Sequence, residues 1–185
     1  MEQTPLRRGD DGIGFLLRYE NVAWYEDGTV RILDRRIYPI QIQYVTCRRH
    51  EEVAQAIADM VTQSGGPFLA AAMGMALAAW EVRDKGEEEL LSFLERAAYT
   101  LSHARPTTAA KMGRVTERAL HVARQALQEG KTGLALVEAL RDNAIAQIEE
   151  NYRRYAAVAR YLADQIPHNG TIMTQCFAET IVGTL

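Results

Sequence analysis

In 185 residues, 48% hydrophobic and 24% charged, the chain has the composition of an ordinary globular protein, with length for one substantial core or two small ones. Its 21 basic and 24 acidic residues give a net charge of −3, and the pairs Arg7-Arg8, Arg35-Arg36 and Arg48-Arg49 have acidic neighbours, so no nucleic-acid partner is expected. No apolar run reaches bilayer-spanning length and the N-terminus lacks the basic-then-apolar order of a signal peptide, so the expectation is a cytoplasmic protein with no membrane partner.

Residues 1–18 are polar and glycine-bearing and read as a flexible arm. From Tyr19 to Thr46 the pattern is that of a small antiparallel sheet. Val22-Ala-Trp-Tyr25 and Thr29-Val-Arg-Ile-Leu33 flank Glu26-Asp-Gly28, and an Asp-Gly pair between alternating runs is a hairpin signal. Ile40-Gln-Ile-Gln-Tyr-Val45 alternates as well and is predicted as the third strand.

From His50 to Ile166 the chain reads as helical. Glu51 to Gln63 carries Val53, Ala56, Ile57, Met60 and Val61 on one face, and Ser64-Gly-Gly-Pro67 ends that helix and opens the next. Phe68 to Arg83, rich in Ala, Gly and Met, suits a helix packed closely on several sides. Glu87 to Ala104 is amphipathic, Arg105-Pro-Thr107 breaks it, and Thr107 or Thr108 is placed to cap a helix running to about Glu129. The last helical pattern, from Gly133 to Ile166, is long enough to call for a kink or a partner surface.

After the turn at His168-Asn-Gly170 comes a short β-type run ending in Gln175 and Cys176, and then a helix-like continuation that stops at Leu185. A thiol at the carboxyl end of a strand and before a helix lies where an open α/β sheet places its chemistry. Free cysteine is also among the most buried residue types, so a packing role stands beside the catalytic one. A lone parallel-type strand needs a sheet to join, and a further domain is therefore expected beyond it. Cys47 and Cys176 make no disulfide framework, and Cys47-Arg-Arg-His50 offers two potential ligands without a second pair at ligand spacing. No metal and no cofactor are expected. His50, His103, His121 and His168 share no triad-like spacing and read as structural, as do Trp24, Trp80 and the Met73-Gly-Met75 pair.

Several of these pieces occur together elsewhere. Val22 to Asp34, Pro39, Tyr44 to Ala58, Gly65-Gly-Pro67 before an Ala-rich helix, Ala104-Arg-Pro-Thr107, and Gly170-Thr-Ile-Met-Thr-Gln-Cys176 follow one another in an order that resembles the first half of the methylthioribose-1-phosphate isomerases. That group belongs to the wider family containing the alpha, beta and delta subunits of translation initiation factor 2B and the ribose-1,5-bisphosphate isomerases. The resemblance implies an α+β, mostly α fold: a small N-terminal antiparallel sheet with a helical bundle over residues 19–168. Residues 169–185 would then begin a Rossmann-like catalytic domain whose remainder is absent.

It also implies an aldose–ketose isomerase of methionine salvage that converts a phosphorylated pentose from aldose 1-phosphate to ketose 1-phosphate. Cys176 matches the family's acid/base thiol, which works with an aspartate of the C-terminal domain. Such proton transfer beside a carbonyl needs a positioned acid/base pair. Arg105, Gly65, Gly66 and Gln175 match or neighbour the substrate- and phosphate-binding positions, and a homodimer or higher oligomer is implied. Two departures stand out. Ser64 replaces a family arginine that would grip phosphate, and Gln175-Cys-Phe177 stands where His-Cys-Asn is common. The alternative from another class is a non-catalytic regulatory or scaffold subunit, like those of initiation factor 2B, that binds a sugar phosphate, a nucleotide or a partner subunit.

Overall fold

A computed structural model describes residues 12–173 of the protein. A 3₁₀ turn at Phe15–Leu17 and a one-turn helix α1 (Tyr19–Val22) lead into three antiparallel strands, β1 (Ala23–Glu26), β2 (Thr29–Leu33) and β3 (Tyr44–Cys47), in the order β1-β2-β3. Then come α2 (His50–Ala58), α3 (Gly66–Glu81), α4 (Glu87–His103), α5 (Ala109–Gln128) and α6 (Gly133–Ala163). The described residues are thus mostly helical with one small antiparallel sheet, as the sequence implied.

The hairpin forms because Asp27 and Gly28 both take positive φ, +45° and +74°, which matches the twist of the flanking strands. Glycine is needed at 28 for a second reason: a Cβ there would stand 2.3 Å from Trp80 Nε1, so the turn lies directly on α3. Ala23, Tyr25, Val30 and Ile32 turn their side chains into the core between sheet and helices.

The third strand is not where the alternation of Ile40 and Ile42 put it. Those two side chains are 90% and 58% exposed, and pairing starts only at Tyr44, opposite Leu33. The reason lies in β2, which ends at Leu33. Asp34 turns the chain away there, its carboxylate accepting from the Arg36 backbone N–H at 3.0 Å and from the guanidinium at 2.8 and 2.7 Å. The chain returns to register when the Asp34 N–H donates to Gln43 O at 2.9 Å, which leaves only residues 44–47 a partner strand.

Helix α2 stops at Ala58, five residues short of the expected Gln63. Met60 adopts φ +60° and the Val61 N–H reaches back to Ala56 O at 3.0 Å, a left-handed helix cap built without glycine. Val61, 3% exposed, supplies the apolar contact that accompanies this cap. Helix α3 is buried without a break from Leu69 to Ala79, because small residues and methionines let α2, α4, α5, α6 and the sheet all pack against it. A helix with apolar residues all round is stable in water only at such a centre.

Thr108 precedes α5 without capping it: its hydroxyl turns back to donate to Arg105 O at 3.2 Å. Helix α6 packs its first half into the core through Leu136, Leu140, Ala144 and Ile148. Its second half carries Val158 and Tyr161 at 50% and 79% exposure, apolar surface of the kind a partner would cover. The segment from Leu17 to Tyr19 is tied to the middle of α6. Tyr19 Oη donates to Glu149 Oε1 at 2.6 Å, Tyr152 Oη donates to Leu17 O, and the Tyr19 and Tyr152 rings meet edge to face at 5.2 Å. Residues 171–173 have no regular secondary structure.

Candidate functional site

A partly enclosed cavity lies where α3 begins. It measures about 70 Å³ and is bounded by Gly65, Gly66 and Phe68 on one side, by Gln147, Tyr152 and Tyr155 of α6 on the other, and by Val22 and Val115. Three strands of local logic converge on it. The break at Ser64-Gly65 starts α3 with no side-chain cap and with Pro67 in its first turn. The stripe 144-148-152-155 of α6 presents one face to α3 at helical spacing. The small residues of α3 let that face come close.

The two glycines do not make a free-amide cradle. The Gly66 N–H donates to Gln63 O at 2.9 Å, the Phe68 N–H donates to Gly65 O at 3.2 Å, and Pro67 has none. Gly66 is required for packing: a Cβ would stand 1.8 Å from Thr62 Oγ1. The polar handle of the cavity is Gln147, whose Nε2 is buried without a hydrogen-bond partner, a donor awaiting an acceptor. Lys111, in the first turn of α5, does not line the cavity, but its Nζ lies 3.8 Å from the centroid of the Phe68 ring, which does. A space of 70 Å³ takes a few waters or one substituent of a sugar phosphate, not the whole molecule.

The structure brings Gly65 and Gly66 together at this cavity. Arg105, half-buried, does not line it. Arg105 sits in extended conformation between α4 and the 3₁₀ turn Pro106–Thr108, at the head of the segment that carries Lys111. Gln175 and Cys176 lie outside the described residues. Sequence reasoning missed Gln147, Phe68 and Lys111. The usable signal was the helical spacing of Ile148, Tyr152 and Tyr155, which the sequence shows only as part of a long helix calling for a kink or a partner surface. A second groove of about 460 Å³, more open, runs between α4 and α5 past Tyr99, which stacks on His103 at 4.0 Å; neither Arg105 nor the glycine pair lines it.

The second thiol, Cys47, is no candidate for chemistry. It pairs with Val30 in the sheet, is 1% exposed, and burial together with the Glu52 carboxylate pushes its pKa up to about 11.

Residues 63–185 match the Initiation factor 2 subunit family, and the chain belongs to that family. Among curated relatives it is 33% identical over 161 residues to the methylthioribose-1-phosphate isomerase of Pelotomaculum thermopropionicum, covering 86% of this chain and 43% of that protein. It is 29% identical over 163 residues to that of Carboxydothermus hydrogenoformans, covering 85% and 45%. The fold resembles the solved 5-methylthioribose 1-phosphate isomerase of Pyrococcus horikoshii, with TM-score 0.64 and 23% identity over 80% of this chain and 41% of that one. It also resembles the delta subunit of translation initiation factor eIF-2B from A. fulgidus, with TM-score 0.58 and 26% identity over 80% and 42%. The chain spans less than half the length of these relatives.

Proposed function

We propose that the chain is the N-terminal portion of a sugar-phosphate aldose–ketose isomerase acting on a pentose 1-phosphate of the methylthioribose type. The observation that carries this reading is the cavity at the Gly65-Gly66 start of α3, in a chain whose curated relatives bear the name methylthioribose-1-phosphate isomerase. In this reading the cavity receives one substituent of the sugar, with Gln147 Nε2 as a hydrogen-bond donor. Arg105 meets the phosphate, Gln175 a sugar hydroxyl, and Cys176 moves the proton between C1 and C2. The thiol acts with an acid/base partner from the portion that the relatives carry beyond this chain. Assembly into a homodimer or higher oligomer and a cytoplasmic location complete the proposal.

The test pairs this chain with a polypeptide supplying that further portion and follows conversion of aldose to ketose. Turnover of a pentose 1-phosphate is expected from the pair and not from the 185 residues alone. Cys176→Ser should lower the rate by about 100-fold or more, the scale of losing an acid/base group. An unchanged rate in Cys176→Ser would overturn the catalytic assignment. The second reading, a non-catalytic regulatory subunit, draws on the likeness to the eIF-2B delta subunit and on Ser64, which offers no cation to a phosphate. Sugar-phosphate binding by the pair without any turnover would favour it.

A further inference from the structure

At the opposite end of α3 from that cavity, where α3 ends beside the start of α2, His50, Glu51 and Glu81 converge. His50 opens α2 and is 4% exposed; Glu81 closes α3. His50 Nδ1 lies 2.9 Å from Glu81 Oε1 and 3.4 Å from Glu51 Oε2, and one ligand atom from each residue falls within 4.8 Å of the other two. The imidazole Nδ1 carries at most one hydrogen, and Glu81 at 2.9 Å is its natural acceptor. The second carboxylate faces the same nitrogen with nothing left to accept.

Neighbouring cations do not neutralise the pair. Arg49 reaches Glu52 at 3.8 Å, and Arg83 donates to Trp80 O at 2.7 Å while its guanidinium lies over the Trp80 ring. Among the described residues no lysine or arginine pairs with Glu51 or Glu81. The negative end of α3 and the positive end of α2 meet here and offset each other, leaving the two carboxylates as the local charge.

We propose that His50 Nδ1, Glu51 and Glu81 form a binding site for a first-row divalent cation of the Zn²⁺ class. A tetrahedral ion with bonds of about 2.0–2.1 Å sets its ligands about 3.3 Å apart. The observed 2.9 and 3.4 Å from the imidazole nitrogen bracket that value, and all three ligand atoms lie within 4.8 Å of one another, so the ion replaces the shared proton once the half-exposed Glu51 side chain swings its oxygen in. Two of the three ligands are held independently of any metal. Glu81 Oε1 also accepts the His50 backbone N–H at 2.8 Å, and the His50 ring abuts Phe93 edge-on at 5.2 Å. Such outer contacts fix ligand orientation in metal sites. Glu51, half exposed, forms the entry and leaves the fourth position to water. One imidazole with two carboxylates favours a borderline ion over Mg²⁺ or Ca²⁺, which call for six or more oxygens.

The experiment uses the full 185-residue chain, stripped with chelator and titrated with Zn²⁺ by calorimetry, and with Co²⁺ by absorption as a geometric probe. One ion per chain is expected, with the intense visible band of tetrahedral Co²⁺ and no displacement by equimolar Mg²⁺. Glu51→Gln, a half-exposed position where folding is not at stake, should weaken binding at least about 10-fold. His50→Gln should do the same. A combined replacement of His103, His121 and His168 by Gln should leave binding intact. Absence of binding, or Zn²⁺ bound equally well by Glu51→Gln and by the wild type, overturns the assignment.

Discussion

Gly66 lies directly against Thr62: a Cβ on Gly66 would stand 1.8 Å from Thr62 Oγ1, 3.2 Å from Thr62 Cβ and 3.4 Å from Val22 Cγ1. The glycine at the mouth of the candidate site is therefore fixed by the packing of the α2–α3 connection, whatever it does toward a ligand. Gly66→Ala should destabilise the protein by about 1–3 kcal/mol through overpacking. Thr62→Ala in the same chain removes the offending oxygen and should recover much of that loss. A coupling of about 1 kcal/mol or more in the double-mutant cycle from urea unfolding checks it; strict additivity would contradict the packing account.

Tyr19 and Glu149, 130 residues apart, join α1 to α6 through a phenol–carboxylate hydrogen bond of 2.6 Å. Tyr19→Phe keeps the buried ring and removes the donor. Hydrogen bonds to charged groups contribute about 1.5–3 kcal/mol, so the unfolding free energy should fall by that amount, read as a lower urea midpoint at an unchanged m-value. Amide exchange should quicken most in residues 15–22, whose anchor is lost.

The Asp34 carboxyl is held below its ordinary value, first by the Arg36 guanidinium and then by the Arg36 backbone N–H. A depressed carboxyl stabilises the fold above the unfolded-state value near 4, and that contribution is lost as pH falls through the lower folded-state value. Arg36→Ala should therefore lower stability at pH 7, with the gap to wild type closing below about pH 4. Thermal melts of both proteins from pH 7 to pH 3 read the effect, and a constant gap across that range would refute it.

At the opposite end of the scale, the Cys47 thiol is pushed up to about 11 by burial and by Glu52. Below pH 9 it is protonated in both folded and unfolded chains; between 9 and 11 only the unfolded chain gives up the proton. Stability should thus fall across that window, by about 3 kcal/mol for two units of displacement. Cys47→Ala should flatten this alkaline slope while lowering stability at neutral pH. At pH 8, alkylation of Cys47, followed by peptide mass, should track global unfolding.

Gln147 Nε2 is buried without a partner in the candidate cavity. Gln147→Met keeps the length of the side chain and removes the orphaned donor, so the unfolding free energy from urea titration should hold or rise, by up to about 1 kcal/mol. A loss of stability would mean that the amide is already satisfied in solution.

Much of the architecture was legible in one dimension because it depends on near neighbours. The Asp27-Gly28 turn needs only two residues able to take positive φ, and the amphipathic spacing of 87–103 needs only one apolar face. The errors arose where a distant partner decided. Ile40 and Ile42 alternate like a strand, yet a strand exists only where another supplies its ladder, and β2 ends at Leu33. Thr108 is the local exception: it stands at a helix start, but Arg105 O, three residues back, takes its hydroxyl.

The sequence by itself determined the family, through motifs whose order is a one-dimensional property, and with it the identity of Arg105, Gly65, Gly66, Gln175 and Cys176 as candidates. Tertiary structure alone decided that the glycine pair faces Gln147 across a small cavity, that Cys47 is a packed thiol, and that Glu81 meets His50 and Glu51. The physical reason is that hydrogen bonds and ligand sets act over about 3 Å in space, and helix packing sets such distances between residues far apart in sequence, as between His50 and Glu81, 31 positions apart.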